Sequence, residues 1–302
     1  MDELNIATQI KNITLETALK DLSKLQEMDI TTITPQCRTG NNFIDFFMFR
    51  YRLQTISRKK MTFFQFVSNT EYQAKPYIQK LIKYQDHLKI NKLTKLYRIF
   101  TLHCGTISLF KPIRAIEVYT RFKPRSILDP CSGWGGRLVG ACVCNIPFYT
   151  GIDLNINLKE PYEAMINKLK PTTTTAMNIH FCDAVTFDYS NLKYDMVLTS
   201  PPYFNIELYP YTNKLTKPEW VTLFYIPLFK ETFKYLELGG WFCINVNQEI
   251  YNDICVGLFG QAHIKLPMSN VKRLINNMTE FIYCWCKGCI IGEPININIS
   301  II

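Results

Sequence analysis

At 302 residues the chain is long enough to bury one large core, or one core and a smaller domain. Its 47% hydrophobic and 20% charged content excludes a disordered chain, and no apolar run approaches the ~20 residues of a membrane-spanning helix. The formal net charge of +9 points to polyanionic partners and away from basic ones.

The first residues, Met1-Asp2-Glu3-Leu4-Asn5, lack the basic head and apolar core of a signal peptide. Leu15, Leu19, Leu22 and Leu25 recur at helical spacing, which predicts one helix within residues 1–30. Thr31 to Asn42 holds Thr, Pro, Gly and Asn and reads as a loop. Helices are predicted over Phe43 to about Val67 and Tyr77 to about Leu102. The charge is concentrated here. Residues 1–110 carry 16 Lys/Arg and 9 Asp/Glu, and Arg50 to Arg98 carry 12 basic residues against Glu71 and Asp86. Aromatic residues such as Phe63, Tyr72, Tyr77, Tyr84 and Tyr97 interleave with that charge. A basic, aromatic surface suits nucleic acid, whereas lysines snorkelling around a phenylalanine core give the same composition without it. The Arg58-Lys59-Lys60 cluster is the candidate contact.

From about residue 105 the pattern changes to strands alternating with helices, the signature of a doubly wound α/β sheet. The expected domains are therefore 1–104, basic and mainly helical, and 105–302. Strands are expected near 125–129, 148–153, 178–182, 194–199 and 240–246, and helices near 112–122, 135–144, 157–169 and 217–236. The apolar stretch from Leu138 to Ile152 is broken by Asn145 and Pro147 and reads as helix, turn and strand. Eleven cysteines, an odd number set mostly in apolar runs, read as buried thiols of a cytoplasmic or other reducing compartment, without a disulfide framework. Cys284-Trp285-Cys286-Lys287-Gly288-Cys289 has no second Cys/His pair at zinc-site spacing, so no metal is expected.

Two segments carry chemistry. Ser126 to Arg137, with Asp129-Pro130-Cys131-Ser132-Gly133-Trp134-Gly135-Gly136 at its centre, reads as strand, glycine-rich turn and helix start. Such a turn brings backbone close to a ligand at a helix N-terminus. It has neither the full GxGxxG of a dinucleotide fold nor the Gly-Lys-Ser/Thr of a P-loop. Asp153 ends the next apolar run, 24 residues after Asp129, near the ~20-residue spacing at which an acid meets a ribose. The second segment is Asp195-Met196-Val197-Leu198-Thr199-Ser200-Pro201-Pro202-Tyr203. Each proline fixes φ and removes an N–H, so the turn offers acceptors to an amino group while Tyr203 offers a flat face.

Over residues 108–290 the chain resembles the S-adenosylmethionine-dependent DNA amino-methyltransferases. Ser200-Pro201-Pro202-Tyr203 looks like their [D/N/S]-P-P-[Y/F/W] catalytic tetrad. The resemblance implies a Rossmann-like methyltransferase sheet with helices on both faces, with Thr279 to Lys287 as its last, antiparallel strand. It implies S-adenosylmethionine as cofactor, held by Phe110, Pro112, Asp129, Pro130, Cys131, Gly133, Gly135, Asp153 and Asp183. Ser200 and the Pro201 carbonyl would then accept from the target amine, with Tyr203 stacking on a flipped base. Trp134 stands where the family has a small residue, either shielding the cofactor or packing on the sheet. Glu207, Tyr209 and Tyr211 follow the tetrad as a loop that either contacts or closes over the target base or is simply solvated. Motif order resembles the adenine-N6 enzymes and the serine resembles the cytosine-N4 enzymes, so both bases stay open. RNA amino-methylation, protein-glutamine methylation and an inactive nucleic-acid-binding subunit are the alternatives. Nothing in the pattern fixes whether the chain acts alone, as a homodimer or with a partner subunit.

Overall fold

The computed structural model describes residues 2–30, 34, 37–57, 59–105, 108–204, 215–268 and 280–289. The sheet starts where Asp195 reaches across the chain. Its carboxylate accepts from the backbone N–H of Arg125 and of Ser126, both at 2.9 Å, and fixes the entry of β1 (Ser126–Asp129). The following strands are β2 (Phe148–Asp153), β3 (Ala176–Phe181), β4 (Met196–Thr199), β5 (Trp241–Val246), β6 (Ile264–Pro267) and β7 (Phe281–Cys286). They form one sheet of order β3-β2-β1-β4-β5-β7-β6, parallel from β3 to β5. The β7 strand runs antiparallel to both β5 and β6.

Strand side chains alternate between two cores, as a pleated sheet covered on both faces requires. Ile127, Met196, Leu198 and Cys243 enter one; Leu128, Val197, Phe242 and Ile244 enter the other. The first face carries α8 (Pro112–Phe122), α9 (Gly136–Val143) and α10 (Lys159–Leu169). The second carries α11 (Lys217–Trp220), a π-helical turn (Val221–Tyr225), α12 (Ile226–Lys234), α13 (Gln248–Ile250) and α14 (Val256–Phe259).

The N-terminal third supplies α1 (Glu3–Ile10), α2 (Leu15–Gln26), α3 (Asn41–Leu53), α4 (Phe63–Ser68), α5 (Thr70–Gln73), α6 (Pro76–Tyr84) and α7 (Lys92–Cys104). The core crosses residue 104. Ala18, Leu22 and Leu25 of α2 and Phe43, Ile44 and Met48 of α3 pack in one cluster with α8 and α9. A separate cluster joins α1 and the end of α3 to α4, α6 and α7, around Phe63, Phe66 and Ile99.

Several expectations are corrected. Residues 1–30 form two helices, because the Thr14 side chain accepts from the Thr17 N–H and starts a new one. The helix expected from Phe43 to Val67 stops at Leu53 and restarts at Thr62, whose capping box with Gln65 is complete. The one expected from Tyr77 to Leu102 divides into α6 and α7, the second capped by Asn91. The helix at 217–236 contains the π turn, and β6 was not anticipated. Cys286 and Cys289 are joined as a disulfide, their Cα atoms 5.5 Å apart, where only free thiols were expected. Nine other cysteines are free, Cys104, Cys142, Cys243, Cys255 and Cys284 among them buried. Among the described residues no helix is long and apolar enough to cross a membrane.

Candidate active site

In this strand order the sheet switches direction between β1 and β4, and ligands sit beyond the C-terminal strand ends at such a point. The turn after β1 and the tetrad after β4 are therefore neighbours, although about 70 residues separate them in sequence. They share a cavity of about 350 Å³. Of the predicted residues, Phe110, Pro130, Cys131, Gly133, Asp153, Asp183, Ser200, Pro202 and Tyr203 line it. Pro112, Asp129, Gly135 and Pro201 do not. Pro112 opens α8 within the core, and Pro201 is the buried member of the tetrad. Among the described residues no three His, Cys, Asp or Glu side chains are grouped to hold a metal.

Backbone requirements shape the glycine turn. Gly135 caps α9 at φ +81°, and a Cβ there would meet Met165 Cε at 2.5 Å. At Gly136 a Cβ would fall 1.8 Å from the Phe110 carbonyl oxygen, so only glycine lets Phe110 close the cavity over α9. The turn is then pinned on every side. Thr199 Oγ1 accepts from the Cys131 N–H at 3.2 Å, the Ile152 carbonyl from Ser132 N–H at 2.9 Å, and Tyr162 donates to the Gly133 carbonyl at 3.0 Å.

Asp129 is fully buried beneath this turn. Its Oδ2 accepts from Arg137 Nε at 2.7 Å and from the Tyr149 hydroxyl at 2.6 Å. The Arg137 guanidinium also donates to the Cys131 carbonyl and lies 4.7 Å from the Phe110 ring centroid. Burial alone pushes Arg137 down, but the Asp129 carboxylate outweighs it and fixes the positive charge. Asp129 thus holds the turn through Arg137 and stands outside the cavity wall. Arg137 and Tyr149 were missed in the sequence; a lone arginine in the apolar helix 136–143 was the available signal.

Asp153 projects from the end of β2. One oxygen accepts from the Gly133 N–H at 2.7 Å and the other from Asn155 N–H at 2.9 Å. Burial raises its pKa from 3.8 to about 6 despite those two bonds. Asp183, two residues beyond β3, is exposed at the cavity edge, with one oxygen accepting from Val185 N–H at 2.8 Å. Cys131 in the wall stays a neutral thiol, because burial first, then Asp129 and Asp153, push its pKa well above the ordinary value. Trp134 is buried against the sheet core, which is the packing the sequence offered as one reading, and it also lines the cavity.

Ser200 is held by a residue the sequence reading passed over. Asn245, buried on β5, donates its Nδ2 to the Phe281 carbonyl at 3.0 Å. That fixes the amide, so Oδ1 faces Ser200 and accepts its hydroxyl at 3.1 Å. With its proton committed, Ser200 Oγ presents lone pairs. A single asparagine in the otherwise apolar run Trp241–Val246 was the signal. Tyr225, carried by the π turn, donates to the Pro202 carbonyl at 2.7 Å, and Tyr203 donates to Glu280 at 2.6 Å. Trp220 from the end of α11, with Leu223 and Phe224 from the π turn, completes an apolar wall. Lys59 and Lys60 lie exposed on a turn closed by the Ser57 N–H to Met61 carbonyl bond, away from the cavity lining. Arg58, Glu207, Tyr209 and Tyr211 lie outside the described residues.

No protein-family model and no curated protein matches the sequence. Solved structures do match in fold. TrmN from Thermus thermophilus is 13% identical, with a TM-score of 0.40 over 58% of this chain and 48% of that one. NSun6 from Pyrococcus horikoshii is 16% identical, with a TM-score of 0.43 over 60% and 53%. An rRNA methylase from Streptococcus thermophilus is 12% identical, with a TM-score of 0.39 over 60% and 99%. The chain spans about half the length of the first two. These likenesses add nothing to what the strand order already says.

Proposed function

We propose that this chain transfers a methyl group from S-adenosylmethionine to the exocyclic amino group of a DNA base, adenine N6 or cytosine N4. The observation that carries the reading is the oriented Ser200–Asn245 pair, set in one cavity with Asp153 and the glycine turn. The residues present fit such a cofactor. Asp153 offers a carboxylate to a ribose diol, Asp183 an acceptor to an adenine amine, and the turn a close backbone surface to the amino-acid end. When bound, S-adenosylmethionine supplies an electrophilic methyl group and leaves as a thioether.

An aromatic amine is a weak nucleophile because its lone pair is delocalised into the ring. Ser200 Oγ accepts one amine N–H, which draws the nitrogen toward tetrahedral geometry and frees the lone pair for attack. As the C–N bond forms the nitrogen gains positive charge, so this hydrogen bond strengthens in the transition state. The excess proton on the nitrogen is then lost to solvent water, the methyl–sulfur bond having broken as the C–N bond formed. By resemblance the Pro201 carbonyl is the second acceptor, and Tyr203 stacks on the ring. The basic N-terminal region, Lys59 and Lys60 included, is the proposed DNA contact.

The test is transfer from labelled S-adenosylmethionine to unmethylated DNA and to total RNA, followed by nucleoside mass spectrometry. N6-methyladenine or N4-methylcytosine in DNA is expected. A modified nucleoside in RNA alone overturns the DNA assignment, and transfer to neither overturns both.

A further inference from the structure

A second surface lies close to the cavity along the chain. α7 ends at His103 and Cys104, and Ser108 already lines the cavity. Four residue steps hold the Cα atoms of Cys104 and Ser108 within about 14 Å of each other. Around His103 the structure gathers rings and ammonium groups from three other segments. Tyr77 of α6 lies 5.3 Å from it between ring centroids, and Tyr72 hydrogen-bonds its Nε2 at 2.8 Å. The Lys75 ammonium lies 4.1 Å from the centroid of the Tyr72 ring, and Lys59 stands exposed on the turn before α4; after burial, these two lysines hold the imidazole below its ordinary pKa.

From there the surface continues along α6. Tyr77, Lys80 and Tyr84 are spaced i, i+3 and i+7, which puts them on one helix face. That face is turned to solvent: Tyr77 is 58% and Tyr84 76% exposed. The two rings are about 10 Å apart along the axis, roughly three nucleotides at about 3.4 Å each. Residues 59–85 hold five lysines against the single carboxylate of Glu71. Two exposed aromatic faces interleaved with lysines that make no ion pair among the described residues complement a strand of stacked bases and phosphates.

We propose that the face formed by Tyr77, Lys80 and Tyr84, continued by His103 and Lys59, is the docking track for the DNA strand flanking the target base. This deepens the reading above and rests on it. Tyr77 and Tyr84 stack on bases; Lys59, Lys80 and Lys83 neutralise phosphates. The track needs no recognition of sequence, since every base offers a flat face.

The experiment is fluorescence anisotropy of a labelled single-stranded DNA oligonucleotide against the full chain across a salt series. It compares the native protein with Tyr77→Ala/Tyr84→Ala and Lys80→Gln/Lys83→Gln. All four side chains are exposed, so the variants keep the fold, checked by unchanged melting and unchanged S-adenosylmethionine affinity. The tyrosine pair is expected to weaken DNA binding at least tenfold at constant salt slope. The lysine pair is expected to reduce the slope by about 1.4, about 0.7 per lost contact on a single strand. Native binding with no change in either variant overturns the track and leaves the methyl-transfer reading intact. An oligonucleotide of RNA bound in preference to DNA overturns the occupant. Native protein that binds cofactor but no nucleic acid overturns the track and the substrate class together.

Discussion

Asn245 decides what Ser200 can do. Because the Phe281 carbonyl takes the Asn245 amide N–H, the serine hydroxyl meets an acceptor there and donates to it. Ser200→Ala is expected to lower kcat about 10²–10³-fold, the usual cost of a lost transition-state hydrogen bond. Asn245→Ala is expected to lower it about 10–100-fold, with KM for DNA and cofactor affinity within a few fold. The double variant should be no slower than Ser200→Ala alone, since the asparagine acts through the serine; additive losses would give Asn245 a separate role. Asp153 carries a second expectation. Its carboxyl protonates near 6 in the fold and at 3.8 when exposed. The folded chain therefore takes up this proton first, so this group alone makes the fold more stable as pH falls from about 6 toward 3.8, and less stable as pH rises through about 6. Cofactor affinity should move the other way, because a neutral carboxyl accepts a ribose hydroxyl more weakly than a carboxylate does. Titration calorimetry from pH 5 to 8 should show affinity lost below about 6. Asp153→Asn should bind roughly 10–100-fold more weakly at pH 8 and without that step.

At the scale of elements, what was legible in the sequence is what lies on one contiguous segment. The span of β2 and that of α8 agree with the reading because each is bounded by its own signal: Pro147 before the strand, Asp153 after it, and Pro112 at the first helical turn. The two chemical motifs were legible for the same reason. The partners that make them work come from elsewhere: Tyr149 from β2, Asn245 from β5 and Tyr225 from the π turn, 20 to 45 residues away. No local pattern announces such pairings. The N-terminal breaks were a different failure. Aromatic residues at nearly every turn from Phe43 to Tyr97 hid the helical period, although Thr62 with Gln65 and Asn91 were visible caps. Gly136 tests the junction that positions the glycine turn. Gly136→Ala places a carbon inside the contact distance of the Phe110 carbonyl, and backbone must shift on one side. A loss of about 1–3 kcal/mol in denaturant unfolding is expected, accompanied by weaker cofactor binding. Unchanged binding would mean that Phe110 does not shape the pocket.

For the whole molecule, the arrangement of the cores matters more than the change of sequence pattern near residue 105. α3 faces two ways. Phe43, Ile44 and Met48 enter the core of the sheet, while Phe49 and Leu53 enter the helical cluster built on Phe63 and Ile99. α3 also lies against α9 and α10, the two helices that receive the glycine turn and hold the Gly133 carbonyl through Tyr162. A defect at Phe43 is thus transmitted to the cofactor side, and a defect at Phe63 is not. Both rings are fully buried, so truncation to alanine should cost about 3–5 kcal/mol in either core. Phe43→Ala should lower the melting midpoint of the sheet and weaken S-adenosylmethionine binding. Phe63→Ala should loosen the helical cluster while leaving cofactor affinity within a few fold. Because the proposed DNA track is built on that cluster, Phe63→Ala should also weaken oligonucleotide binding. Calorimetric melting with and without S-adenosylmethionine, beside oligonucleotide anisotropy, separates the two effects. Equal loss of cofactor binding in both variants would show that α3 couples the cores into one cooperative unit, with no division of labour between them.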